Sequence, residues 1–246
     1  MLRLALVHRY SRICVVSCLL AAASGCAPFA LRPPTPAKDL EASKLPALQP
    51  GERFYVILFA SESTPKLPHL THCFGTAIRA VDQGEGQPPL IESHTISWMP
   101  ATLKIEVMRF ETERGVNLGL HETLIYALVS GERVSQWGPY ECRPELYFRF
   151  LVQKEFLESG RIGYQCVDEL GEAARTGNAC DCIHALTDMD PHFSRDHYPL
   201  IRFGDEATEY IVAECRRLNL LINSDETHQW LNAYLGLDSY PIVRRR

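Results

Sequence analysis

The chain has 246 residues, of which 46% are hydrophobic, and its 25 Lys and Arg against 30 Asp and Glu leave a net charge of −5. A mildly acidic chain lacks the basic face that nucleic-acid recognition needs, so nucleic acid is excluded as a partner. Beyond an N-terminal leader the length suits one domain, and no cofactor is expected.

Arg3, Arg9 and Arg12 make a basic start, followed by an apolar run from Ile13 to Ala22 and small residues at Ala23, Ser24 and Gly25. The apolar run is far short of the roughly 20 residues that span a bilayer. These are the physical parts of a secretory signal peptide over 1–25. The ending A-S-G-C resembles the lipobox of bacterial lipoproteins, which implies acylation of Cys26 and attachment to a membrane in the bacterial cell envelope. Residues 26–50 carry Pro28, Pro33, Pro34, Pro36, Pro46 and Pro50, a density that disfavours helix and sheet and predicts an extended tether. Residues 51–246 remain as a single domain.

Within it, F-Y-V-I-L-F-A at 54–60 predicts a buried strand. A second strand is expected from His72 to Arg79, with Gly75 allowing close backbone approach. I-E-S-H-T-I-S-W and L-K-I-E-V-M-R-F predict two more, and four strands on short loops argue for an antiparallel sheet. Helical spacing follows over 118–129, with Leu124, Leu128 and Val129 facing inward, and over 144–157, with Leu146, Phe150 and Leu157. Further helices are expected near 182–188, 205–219 and 225–235. Strands first and helices after make an α+β domain. Ser135 to Glu145 reads as a proline-bounded loop whose Trp137 and Tyr140 either close over a cleft or, as is commoner, pack on the core.

Six cysteines follow the leader: Cys73, Cys142, Cys166, Cys180, Cys182 and Cys215. In an exported domain they can pair as disulfides. G-N-A-C-D-C-I-H-A-L, from Gly177 to Leu186, admits three uses: a disulfide, a metal ligand or a working thiol. The break at Gly177 and a cap at Asn178 or Asp181 place Cys182 in the first turn of a helix, a position that lowers a thiol pKa. A zinc site would draw on Cys180, Cys182 and His184 with His69, His72 and Cys73, but C-x-C-x-H is an uncommon zinc spacing, and no metal is expected. Glu122 and Glu145 lack a carboxylate partner, which argues against glycoside hydrolysis. Asp188 and Asp190 are expected to close the short helix before Pro191.

A nucleophilic Cys182 needs a base, and His72 and His94 lie on predicted neighbouring strands, where one imidazole could orient the other. T-H-C-F-G-T-A-I-R-A, S-H-T-I-S-W and N-A-C-D-C-I-H-A-L, in that order, resemble the circularly permuted papain-like proteins, namely the permuted NlpC-type amidohydrolases and the lecithin retinol acyltransferase-like group. The resemblance spans about residues 54–190. It implies an antiparallel sheet backed by helices and a Cys-His-His site of Cys182, His72 and His94. The implied activity is hydrolysis or transfer at an amide or ester bond, with peptides, including cell-wall peptides, as substrates. The stretches S-W-M-P, W-G-P-Y-E and I-H-A-L are similar to a group of bacterial lipoproteins that imply no activity. The competing expectation is a non-catalytic envelope lipoprotein with structural cysteines that binds a partner.

Overall fold

The computed structural model describes residues 35–193 and 202–245. The expected signal segment, Cys26 and the first part of the tether lie outside the described residues. In chain order the elements are β1 (Glu52–Glu62), β2 (Thr71–Val81), β3 (Leu90–Ile96), β4 (Trp98–Pro100), β5 (Gly115–Asn117), α1 (Leu120–Val129) and β6 (Arg133–Cys142). Then come α2 (Pro144–Glu158), β7 (Gly163–Tyr164), α3 (Gly171–Thr176), β8 (Ala179–Cys180), α4 (Cys182–Thr187), α5 (Asp205–Arg217), α6 (Trp230–Tyr234) and β9 (Ile242–Arg245). Among the described residues no helix is long and apolar enough to cross a membrane.

The fold is α+β around a five-stranded sheet of order β3-β2-β1-β6-β9, antiparallel except for the β6–β9 pair. β1 is central and buried on both faces, which is why it reads as an unbroken apolar run. Phe54, Val56, Leu58 and Ala60 point to a core shared with α2, α4 and α5. Tyr55, Ile57 and Phe59 point to the opposite core, shared with α1 and α6. Gly75 gives the close approach expected of it. A Cβ there would stand 3.1 Å from Leu58 Cδ2 and 3.2 Å from Leu186 Cδ2, so α4 lies against β2 because that residue has no side chain.

Four expectations change. L-K-I-E-V-M-R-F is irregular: Leu103 has a φ of 56°, Met108 and Phe110 are exposed, and the run pairs with no strand. Its alternation mimics a strand, but β4 turns the chain away to pair with β5 instead. The expected loop at 135–145 is largely β6, flanked in the sheet by β1 and β9. Pro139 argued against a central strand, and a register shift opposite Val56 and Leu58 accommodates it at Gly138, whose φ is +89°. Trp137 and Tyr140 are buried in the core. Val129, expected inward, is exposed at the end of α1. The second part of the expected tether packs on the domain: Ala37 is fully buried, Thr35 Oγ1 donates to Asp188 O at 2.7 Å, and Lys38 pairs with Asp188.

Candidate functional site

α4 begins as its sequence predicts. Asp181 is the N-cap, its carboxylate accepting from His184 N at 2.7 Å, and Cys182 is the first helical residue. The packing of α4 on β2 sets the Cys182 thiol near enough to the His72 imidazole and the Cys73 thiol for both to influence its proton affinity. Neighbouring strand residues project to opposite faces, so His72 and Cys73 leave opposite sides of β2, and β3 pairs with β2 only as far as Gly75↔Ile96.

The His72 ring is buried and lies stacked 5.6 Å from Phe74. Its Nε2 is 2.9 Å from Ser97 Oγ, while Nδ1 makes no aligned hydrogen bond among the described residues. Ser97 is held in turn by Asn117, whose Oδ1 accepts from Ser97 N at 2.7 Å and whose Nδ2 donates to Thr95 O at 2.8 Å. Ser97 and Asn117 were not among the residues singled out from sequence. The S-H-T-I-S-W stretch carried Ser97, but nothing local marks it as a histidine partner.

His94 is not brought to His72. It pairs across the sheet with Ala77, five positions from His72 along β2. Cross-strand partners share a face and an odd offset reverses it, so the two imidazoles leave opposite faces of the sheet. His94 Nε2 lies 2.9 Å from Glu92 Oε1, and its ring meets Tyr147 edge-on at 6.2 Å.

The electrostatics also differ from the sequence expectation of a lowered thiol pKa. The hydrogen bond to Cys73 and then burial push the Cys182 thiol well up, and the opposing influence of His72 does not offset them. Cys182 is 8% exposed and Cys73 1%. Cys73 is fixed by a contact with Gly204 O at 3.6 Å and by Thr208 Oγ1 at 3.4 Å. Burial holds Cys142 well above the usual thiol range and pushes Cys166 and Cys215 up to about 12. Among the described residues none of these six cysteines is joined in a disulfide.

Two residues after Cys182, His184 builds a separate cluster. Its Nδ1 is 2.8 Å from Asp168 Oδ1 and 3.3 Å from Asp181 Oδ2, and its Nε2 is 3.6 Å from Glu169 Oε1. Burial disfavours the imidazolium, but Asp168 and Asp181 outweigh it and hold the ring protonated well above its ordinary range. Among the described residues, Asp168, Glu169 and His184 are the group whose ligand atoms lie close enough together, within 4.8 Å, to hold a metal. The His184 Nδ1 faces Asp168 and Asp181 and its Nε2 faces Glu169, so the group stands as an ionic cluster of one imidazole and three carboxylates. Of the residues weighed for zinc, His69 is exposed on its turn and His184 is committed to carboxylates.

A cavity of about 540 Å³ adjoins the site, lined in part by Trp98, Asn117, Glu158, Arg161 and Asn178. It shares Asn117 with the Ser97–His72 chain, whereas Cys182 and His72 do not line it. Compared with family models, curated proteins and solved structures, the chain matches none.

Proposed function

We propose that this protein is a thiol-dependent hydrolase or acyl transferase of permuted papain-like form, exported and held at the bacterial cell envelope by lipid on Cys26. One observation supports the reading: α4 packs on β2, so a helix-start cysteine and a strand histidine 110 positions apart in sequence lie on neighbouring elements, and the histidine Nε2 is held by a hydroxyl. That is the arrangement a thiol nucleophile and its base require. Cys182 Sγ attacks an amide, thioester or ester carbonyl as His72 takes its proton. Ser97 orients the ring in the place expected for His94. His72 then returns the proton to the leaving amine or alcohol, and water releases the acyl group. Peptides, including those of the cell wall, are the substrates that the resemblance and an exported location suggest.

A second reading, a non-catalytic envelope lipoprotein that binds a partner through this domain, is favoured by the burial of Cys182 and its raised proton affinity. Thioester and peptide hydrolysis by the reduced full chain separates the two. The hydrolase reading expects activity that Cys182→Ala and His72→Gln each reduce by at least about 10³-fold while circular dichroism is unchanged. Activity unaffected by Cys182→Ala, or no turnover of any acyl substrate by reduced protein, overturns it.

A further inference from the structure

We infer that the cavity beside Asn117 is a binding site for a carboxylate borne on an apolar group, with Arg114 and Arg161 taking its charge. At about 540 Å³ it falls within the roughly 300–1,000 Å³ of ordinary small-molecule sites. Its walls come from the β4–β5 pair, the end of α2 and β7. Trp98, Leu157 and Ile162 supply the apolar part, and all three are buried members of the core, so that surface stands ready before any ligand arrives. Trp98 owes its place to the missing side chain at Gly115. A Cβ there would stand 1.9 Å from Cζ2 of the indole, whose Nε1 donates to Gly163 O at 3.4 Å.

Four charged residues line the cavity, and only the two acids are neutralised. Glu158 accepts from Lys154 Nζ at 2.6 and 2.8 Å and from Asn117 Nδ2 at 2.9 Å. Glu113 pairs with Arg109 at 3.4 Å and accepts from Thr102 Oγ1 at 3.2 Å. Arg161 has neutral partners instead: its Nε donates to Ser159 Oγ at 3.1 Å, and its guanidinium lies 5.0 Å over the Phe156 ring. Those contacts orient the group and leave its terminal nitrogens without a carboxylate among the described residues. Arg114 is held through its backbone, whose carbonyl accepts from Ala101 N at 2.8 Å, and its side chain makes no ion pair among the described residues. The cavity therefore carries two uncompensated guanidiniums beside an apolar wall. A planar guanidinium fork matches a carboxylate, and the wall takes the group attached to it.

This site stands whether or not Cys182 is a nucleophile. Calorimetric titration of the full chain with N-acetylleucine, a peptide-end probe, and with octanoate, an acyl-chain probe, tests it. Saturable binding of at least one acid is expected, and the tighter of the two names the source of the natural ligand. N-acetylleucinamide, the same body without the charge, is expected to bind at least about tenfold more weakly. Arg114→Gln and Arg161→Gln should each raise Kd about tenfold, whereas Lys44→Gln, an exposed charge away from the cavity, leaves it unchanged. Both arginines are exposed, so circular dichroism should not change in either variant. No saturable binding of either acid up to about 10 mM overturns the proposal. So does equal binding of the amide, binding of inorganic phosphate as tight as that of the acids, or an unchanged Kd in the double variant Arg114→Gln/Arg161→Gln. Acid binding by a protein that hydrolyses no acyl substrate sinks the hydrolase reading and leaves this one standing.

Discussion

Two histidines lie close to Cys182, and their surroundings divide their roles. His184, on the same helix, faces Asp168, Asp181 and Glu169 and is held as an imidazolium. His72 faces a neutral hydroxyl at Ser97, and its pull on the Cys182 thiol is toward a lower pKa. A ring saturated by carboxylates keeps its proton and serves as a structural ion. A ring held by a hydroxyl keeps a nitrogen available for proton transfer. The sequence interval between histidine and cysteine points the wrong way, since His184 is two residues from Cys182 and His72 is far off.

The strongest way to break this contrast is Asp168→Ala, which strands a buried charge and should cost about 3–5 kcal/mol in urea unfolding. Cys182→Ala should cost much less, because a thiol and a methyl differ little in a packed core. Equal losses in the two variants would mean that the cluster is not an ionic lock. A second test is pH. His184 has a folded pKa above its unfolded value, so its contribution is complete below about pH 6.5 and is lost as pH rises through the folded value. Over that window stability should fall by up to about 1.4 kcal/mol per pH unit, and His184→Gln should flatten the slope. A slope unchanged in the variant would assign the titration to other groups.

Smaller effects sharpen the His72 side. Ser97→Ala should lower the proposed acyl hydrolysis about tenfold, ~1.4 kcal/mol, and displace its pH profile, with Ser97→Thr restoring both. An unmoved profile would make Ser97 a packing residue only. Asp181→Ala removes the N-cap at His184 N and should cost about 1 kcal/mol from the cap, in addition to what His184 loses, as read from the urea midpoint.

Much of the local structure was legible. The apolar run at 54–60 marks the strand buried on both faces, Pro144 opens α2 with Leu146, Phe150 and Leu157 inward, and Asp181 caps α4. Each depends on neighbours within a few positions. The 103–110 stretch failed because alternation shows that a segment is able to pair, and the edge it would need is not offered to it. The 135–145 stretch failed in the opposite sense, since a bulge lets a strand keep a proline that local rules would expel.

The sequence by itself determined that β1 is buried, where the main helices run, and that a cysteine opens a capped turn. Only the tertiary structure decided that the two strand histidines part company, because strand register sets the face and a single odd offset sends His94 away from His72. It also decided the state of the thiol. Cys73 adjoins His72 in the chain with no sign that it acts on another thiol, yet it and burial push the Cys182 thiol well up once α4 packs on Gly75. Periodicity is a property of neighbours in sequence, whereas proton affinity belongs to whatever the fold brings near.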